Sequence, residues 1–446
     1  MDINIPDYVE DILDRLIDND YRAYIVGGSV RDSVMGKKPS DYDVATSAKP
    51  DDIERVFSNY NTYSPGREFG TIVVVTSKGN VEVTTFRLEG KYTDGRRPDF
   101  IEFTTSLEED LKRRDFTINA MAYNHEEGLI DLFQGVKDIE DGLIRCVGNP
   151  YIRLNEDYLR ILRAVRFATQ LDFLIDIETS NACMELSHKL DTVSVERIRD
   201  ELFKILLAEK PSNGILLMRS LGLLKEVIPE LIPAIGFDQR NPHHDRSVFQ
   251  HTLLVMDNTP PILSLRLAAL LHDIGKPYTF TIDPDGIGHF YGHDKESVKI
   301  GKEVLLRLRC PTKLIEETLN LVKEHMNHSP KMKNKALKRQ LQRIGEENMK
   351  NLIHLQIADR LSKNGKKDID YLLKKTKQVD EIIDNKEPYK KAHLAINGSD
   401  LKEIGYKEGR IIGKILEYLL NYVLENPHKN NREDLLEIVN NIYPLE

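Results

Sequence analysis

Residues 27–46 read GGSVRDSVMGKKPSDYDVAT. The preceding YRAYIV has the apolar character of a strand, which ends at Gly27-Gly28. VRDSVMG then reads as a short helix closed by Gly36, and DYDVAT as a second strand. In a strand, residues i and i+2 share a face, so Asp41 and Asp43 aim two carboxylates at one point. Like charges that close are costly unless a cation lies between them. Mg²⁺ suits that place, because it binds a few carboxylates and takes further oxygens from a nucleotide's phosphates. The paired glycines let the backbone approach a phosphate, and Arg31 adds a bidentate grip. A lone DxD is more often an exposed polar strand face; the glycine turn and Arg31 just upstream reverse that reading. Glu82, in VEVTTFR, is a third carboxylate for the same site, with an exposed hairpin position as its alternative.

Outward from this stretch the chain reads as mixed α/β. PDYVEDILDRLID (6–18) sets Val9, Ile12, Leu13, Leu16 and Ile17 on one helical face, and KPDDIERVFSNY is a second helix. GTIVVVT and VEVTTFR form a hairpin across SKGN, and residues 88–110 read as loop. Beyond about residue 150 the apolar spacing is helical and strand patterns nearly vanish. IPAIGFDQRNPHHDRS (232–247) reads as a linker, with His243 and His244 solvated.

At 446 residues the chain is too long for one core, and three or four domains are expected. With 40% hydrophobic and 30% charged residues it is ordinary for a soluble protein. No apolar run approaches a membrane span, and the N-terminus carries no signal-peptide pattern. Cys146, Cys183 and Cys310 are far apart with no CxxC, which fits a reducing cytoplasm and argues against a thiolate metal site. A net charge of −9 argues against nucleic acid only in bulk, since local basic faces decide binding.

In EDYLRILRAVRF, Asp157, Arg160, Arg163 and Arg166 advance slowly around one helix face. Three cations there need a polyanion or several acids; the plainer alternative is a salt-bridged surface helix. Arg113 and Arg114 precede Asp115 in what reads as the first turn of a helix.

GGSVRD followed by DYD resembles the signature of the DNA polymerase β-type nucleotidyltransferases, most nearly the class II tRNA nucleotidyltransferases and bacterial poly(A) polymerases. EEDLKRRDFTINAMAY (108–123) resembles that family's RRD segment, DLFQGVKDIEDGLIRCVG (131–148) its hinge motif, NEDYLRILRAVRFA (155–168) its EDxxR motif, and SVERIRDEL (194–202) its ERxxxE helix. The resemblance implies that Asp157 and Arg160 pair with the incoming base as a protein template. It also implies that Gly28, Arg31 and Arg114 meet the nucleotide, that Arg163 and Arg166 hold phosphates, and that Glu196, Arg197 and Glu201 buttress the template. Asp157 accepts from an exocyclic amine and Arg160 donates to a ring nitrogen or carbonyl, an edge shared by cytosine and adenine but not by guanine and uracil. The implied reaction is Mg²⁺-dependent addition of CCA to tRNA 3′ ends from CTP and ATP, with Asp41, Asp43 and Glu82 catalytic. Relatives that add only cytidines lack a flexible loop that FRLEGKYTDGRRPDFIEF (86–103) supplies here at full length. Addition of A alone and poly(A) synthesis remain open alternatives.

A second constellation comprises His251 (FQHTL), His272-Asp273 (ALLHDIGKP), His293 (YGHDK), His325 (KEHMNH) and Asp359 (IADR). It resembles the HD phosphohydrolase superfamily, which implies a site for one or two divalent ions. Imidazole with carboxylate suits Mn, Ni, Fe or Mg. The alternatives are a vestigial domain kept for shape, an HD phosphohydrolase whose head only binds nucleotide, or a non-catalytic tRNA-binding chaperone.

KMKNKALKRQLQR (331–343) and KNGKKDIDYLLKKTK (363–377) are basic helical stretches that either track tRNA phosphates or form solvated lysine faces. LAINGSDLKEIGYKEGRIIGKILEYLL (394–420) places Gly405, Gly409 and Gly413 at helix junctions and resembles the tail of HD-bearing tRNA nucleotidyltransferases. The expected organisation is an α+β polymerase β-like head (1–148), a helical neck (149–235), an HD domain (236–362) and a helical tRNA-binding tail (363–446). The expected partners are tRNA, CTP and ATP, with no membrane; the oligomeric state is left open.

Overall fold

A computed structural model describes residues 3–90, 100–240, 246–363 and 368–445. The middle of the expected flexible loop, His243 and His244, and the lysines within 364–367 lie outside the described residues. The chain divides into two compact units, Met1–Pro229 and Glu230–Glu446.

Among the described residues the first unit has eleven strands. Two are the two-residue pair Leu143–Ile144 and Leu174–Ile175, which run parallel, and the other nine are β1 (Ala23–Val26), β2 (Asp43–Thr46), β3 (Asn61–Gly66), β4 (Thr71–Thr76), β5 (Gly79–Thr85), β6 (Arg87–Glu89), β7 (Ile101–Phe103), β8 (Met121–Asn124) and β9 (Gly128–Asp131). Seven of them form one sheet in the order β3-β4-β5-β2-β1-β8-β9, and β6 pairs with β7. All neighbours are antiparallel except β2 and β5, which run parallel with Asp43 opposite Glu82. Alternation splits β1 between two cores: Ala23 and Ile25 join the cluster under the helix Asp7–Ile17, while Tyr24 and Val26 join Phe86, Leu107 and Leu111 on the other face.

The first helix, the short helix Gly28–Val34 and the β4–β5 hairpin stand where the sequence places them. Four expectations change. Residues 88–110 are not loop throughout, because β6 and β7 pair Arg87 with Phe103 and Glu89 with Ile101. Only Asp43 belongs to β2; Asp41 precedes the strand. Arg113 caps the C-terminus of the helix Leu107–Lys112 rather than opening a helix. The helical run 155–168 is broken at Asp157, whose extended backbone (φ −148°, ψ 105°) separates the helix Pro150–Glu156 from Leu159–Leu171.

Beyond that break the first unit is helical apart from Leu174–Ile175, as expected, with Leu159–Leu171 packed against Val195–Leu206. The second unit is helical apart from a short hairpin, Thr281–Ile282 with Gly288–His289. Its basic helix Asn334–Ile344 is not a free cationic face: Lys338 is 1% exposed and ion-paired to Glu387 at 2.7 Å, and Arg343 is paired to Glu324 at 2.9 Å. Gly405 and Gly409 do lie at helix junctions, but Gly413 is inside the helix Arg410–Glu425. Among the described residues no helix is long and apolar enough to cross a membrane.

Candidate nucleotide site and candidate metal centre

A cavity of about 590 Å³ opens in the first unit beside the edge where β1 ends and β2 begins. It brings together Gly28, Arg31, Asp41, Asp43 and Arg114 with Asp157, Arg160, Arg163 and Arg166. Parallel register puts Glu82 on the same face as Asp43, one strand away. Burial and the Glu82 carboxylate push the Asp43 acid up to about 6, with Asp41 adding to the rise and Arg114 opposing it. Asp41 and Asp43 line the cavity and are carboxylates of the kind a hard divalent cation takes, whereas Glu82 is exposed and outside its lining.

Backbone geometry shapes the wall opposite. Gly27 holds φ +75°, and a Cβ there would lie 3.1 Å from Nη1 of Arg114. Arg31 donates through Nε and Nη2 to Asp32 (2.9 and 2.7 Å) and through Nη1 to Asn119 (2.8 Å), and its guanidinium lies 5.3 Å from the Phe167 ring centroid. Nε of Arg114 is buried without a hydrogen-bond partner among the described residues, while its Nη2 donates to Asp110 at 3.2 Å.

Arg113, Arg163, Arg166 and Arg197 are each paired with a carboxylate distant in sequence, whereas Arg31, Arg114 and Arg160 pair with acids one to four residues away. Arg163 donates to Asp115 through Nε (2.8 Å) and Nη2 (2.5 Å). Burial alone would raise the Asp115 acid, but Arg163 overrules it and holds the carboxyl far below the ordinary range. Arg166 is paired with Glu201 at 3.2 Å and stacks 4.0 Å from the Phe167 centroid. Arg160 bonds Glu156 and the Arg153 carbonyl (2.8 Å). Arg113 is held by Asp110 (2.7 Å) and Glu89 (3.2 Å), a strut between the helix Leu107–Lys112 and β6. Asp157 receives Arg197 at both oxygens, 3.1 and 2.6 Å. Arg197 also lines the cavity.

Sequence reasoning missed Asn119, Glu156 and Phe167. Glu156 alone had a local signal, its four-residue spacing to Arg160 on what read as one helix.

In the second unit, five helices and their ends converge on six residues. His251 lies in Val248–Asp257, His272 caps Leu263–Leu271, His293 opens the helix His293–Arg307, His325 caps Thr312–Glu324, and Asp359 lies in Glu346–Leu361. All are buried. His251, His272 and Asp273 form one potential ligand set, and Asp273, His293 and His325 another, so Asp273 is common to both. Asp359 is 2.9 Å from Nε2 of His251. The rings of His272, His293 and His325 have Nδ1 at 2.9, 2.8 and 2.6 Å from the carbonyls of Ala269, Phe290 and Val322. With Nδ1–H donating there, the Nε2 lone pairs point into the cluster, the orientation metal ligation needs. Nε2 of His272 is buried 3.2 Å from Oδ2 of Asp273, so the imidazole lone pair and the carboxylate oxygen face each other inside the cluster. Burial and the neighbouring His272 push His325 down to about 3, so it stays a neutral donor.

Two lysines complete this centre and were not foreseen: Lys276 is 2.7 Å from Asp273 and Lys363 is 2.6 Å from Asp359. Their signal was spacing, three and four residues after an acid in helical sequence.

Comparison with known proteins finds relatives for both units. The sequence model of the Poly A polymerase head domain matches residues 23–145, that of the probable RNA and SrmB-binding site of polymerase A matches 172–235, and that of the HD domain matches 248–364. The chain is 34% identical over 432 residues to the CCA-adding enzyme of Pediococcus pentosaceus, covering 97% of this chain and 96% of that one. It is 48% identical over 215 residues to the CCA-adding enzyme of Ligilactobacillus salivarius; that aligned part spans 53% of the relative's length. The crystal structure of the Bacillus stearothermophilus CCA-adding enzyme in complex with CTP superposes with a TM-score of 0.73 at 27% identity, covering 97% of each chain. The Thermotoga maritima CCA-adding enzyme complexed with tRNA shares the fold at a TM-score of 0.56 and 22% identity.

Proposed function

The chain belongs to the family of the CCA-adding enzymes, and from that premise we propose that it is a nucleotidyltransferase that extends tRNA 3′ ends with CCA, using CTP and ATP. The observation that carries this is one cavity holding the carboxylate pair Asp41 and Asp43 together with Asp157 and Arg160. The alternatives of A-only addition and poly(A) synthesis lose ground, since the full-length relative is a CCA-adding enzyme. We assign the head to 1–148, the neck to 149–235, the HD domain to 236–362 and the tail to 363–446.

Asp41 and Asp43, with Glu82 one strand away, would hold a divalent cation, taken as Mg²⁺. When bound there, it activates the tRNA 3′ hydroxyl and neutralises charge on the leaving pyrophosphate. The hydroxyl oxygen bonds to the α-phosphorus as the P–O bond to pyrophosphate breaks. Arg31, Arg114 and the Gly27-Gly28 turn grip the triphosphate. Asp157 and Arg160 read the base edge, Asp157 held in place by Arg197 and Arg160 by Glu156. Positioning and preorganised charge supply most of the acceleration in such transfers.

Three tRNA transcripts, ending before CCA, at C and at CC, test the assignment when incubated with Mg²⁺ and CTP, ATP or both. Ordered growth that stops at CCA is expected. Addition of A to the CC end alone, or long A ladders, overturns it.

The second site supports a second activity. Two ligand sets sharing Asp273 fit a centre for one or two of Mn, Ni, Fe or Mg that hydrolyses phosphoesters. Lys276 and Lys363 neutralise charge beside it.

A further inference from the structure

We propose that Phe167 is a positioning residue of the nucleotide cavity: its ring is the shared seat of three arginines and keeps them in the arrangement that a nucleotide's triphosphate takes. The inference rests on reading that cavity as the nucleotide site.

Three guanidiniums lie around this one ring. Their Cζ atoms stand 5.3 Å (Arg31), 5.4 Å (Arg163) and 4.0 Å (Arg166) from its centroid. Arg163 and Phe167 are neighbours four residues apart in the helix Leu159–Leu171, whereas Arg31 arrives from the helix Gly28–Val34. The ring therefore joins a helix of the head to a helix of the neck. Phe116, wholly buried, packs against it at 80° with 5.8 Å between centroids and fixes its place. Phe167 is 7% exposed, and among the described residues lining the cavity it is the one aromatic side chain.

Filling a core does not require an aromatic here. A leucine could pack against Phe116, but it would offer the arginines nothing. The face of an aromatic ring carries negative potential and attracts a cation. Guanidiniums gathered this closely repel: burial and the nearby Arg163 push Arg166 down to about 10. Carboxylates answer that repulsion one arginine at a time. Asp32 takes Arg31, Asp115 takes Arg163 and Glu201 takes Arg166. Phe167 is the group common to all three.

A triphosphate gains from that common group. Its charge is spread along a flexible chain, and side chains that must be ordered on binding cost affinity. With the ring in place, the three cations are gathered before the ligand arrives. The base edge is assigned to Asp157 and Arg160, so the ring's contribution is the same for CTP and ATP.

The test measures binding of CTP, ATP and inorganic tripolyphosphate to the full chain in Mg²⁺ by calorimetry. Position 167 is varied in two ways. One is Phe167→Leu; the other is a series of phenylalanines bearing one, two or three ring fluorines, which drain the negative face and barely change the ring's size. Phe167→Leu is expected to raise Kd about tenfold for all three ligands. The fluorinated series is expected to weaken binding stepwise with fluorine number. Its melting temperature and its preference for CTP and ATP over UTP and GTP should stay nearly unchanged. Binding that is level across the series, or that falls only in step with the melting temperature, overturns the proposal whatever Phe167→Leu does, because packing then explains the residue. Weakened CTP and ATP with unaltered tripolyphosphate overturns it as well. Binding of neither CTP nor ATP by the unaltered chain refutes the nucleotide reading instead, and the role of Phe167 falls with it.

Discussion

Arg197 grips both carboxylate oxygens of Asp157, at 3.1 and 2.6 Å, across forty residues of sequence. A residue expected to buttress the template is thus the direct partner of the residue assigned to read the base. Replacing Arg197 with Met leaves Asp157 free to rotate and removes a bidentate charged contact worth about 1.5–3 kcal/mol. Incorporation of CTP and ATP should fall about ten- to a hundredfold and discrimination against UTP and GTP should narrow, with tRNA affinity unchanged. Single-nucleotide incorporation assays with each triphosphate read this; an unaltered base choice refutes the positioning role.

Asp43→Asn should remove the charge that holds the cation while keeping the side chain's size. Incorporation should drop by about a thousandfold or more, the scale of several kcal/mol of lost charge stabilisation. Filter binding of tRNA should be preserved. Substantial turnover by this variant refutes the assignment of Asp43.

The pair of Asp115 and Arg163 predicts an acid limit for the first unit. The folded Asp115 acid is held far below its ordinary value of 3.8, so its contribution to stability is full above that value and is lost as pH falls through the folded one. Asp115→Asn leaves the half-buried Arg163 without its carboxylate and should cost about 1.5–3 kcal/mol at pH 7. Thermal melts of the two proteins should therefore converge as pH falls below 3.8. A gap that is constant with pH refutes the ion pair as its cause.

His272→Ala with Asp273→Ala should abolish phosphoester hydrolysis and divalent ion retention after desalting, measured by elemental analysis. CCA addition should continue near its normal rate. Retention of the ion locates it elsewhere.

Lys338 tests the tail. Because its ammonium is buried against Glu387, Lys338→Met should lower stability by about 1–3 kcal/mol in a urea melt and leave tRNA affinity and its salt dependence unaltered. A loss of tRNA affinity with stability intact places this lysine at the RNA instead.

The glycine turn, the carboxylate pair and the six histidine-centre residues were legible because their chemistry is local or their residue types are distinctive. β3 was not, because NTYSPG carries a proline and a glycine and lies at the sheet edge, where ladder pairing tolerates both. The break at Asp157 was hidden for another reason. Arginines three apart continue a helical rhythm across it, while the bonds that hold the kink come from Arg197, in another helix. The anchoring of the cavity's arginines was equally silent: Asp115 meets Arg163 and Glu201 meets Arg166 only after the chain has folded. Lys338 shows the converse error, since a lysine-rich run looks solvated until one of its ammonium groups is found buried against an acid from another segment.

Asp273 belongs to both ligand sets of the histidine centre. One codon therefore governs both halves. Loss of any single histidine leaves the other set entire, but a change at this aspartate disarms the two together. Decay of this centre in a lineage should then be abrupt, and the identity at this one position serves as a diagnostic of whether a relative's second activity is alive or extinct.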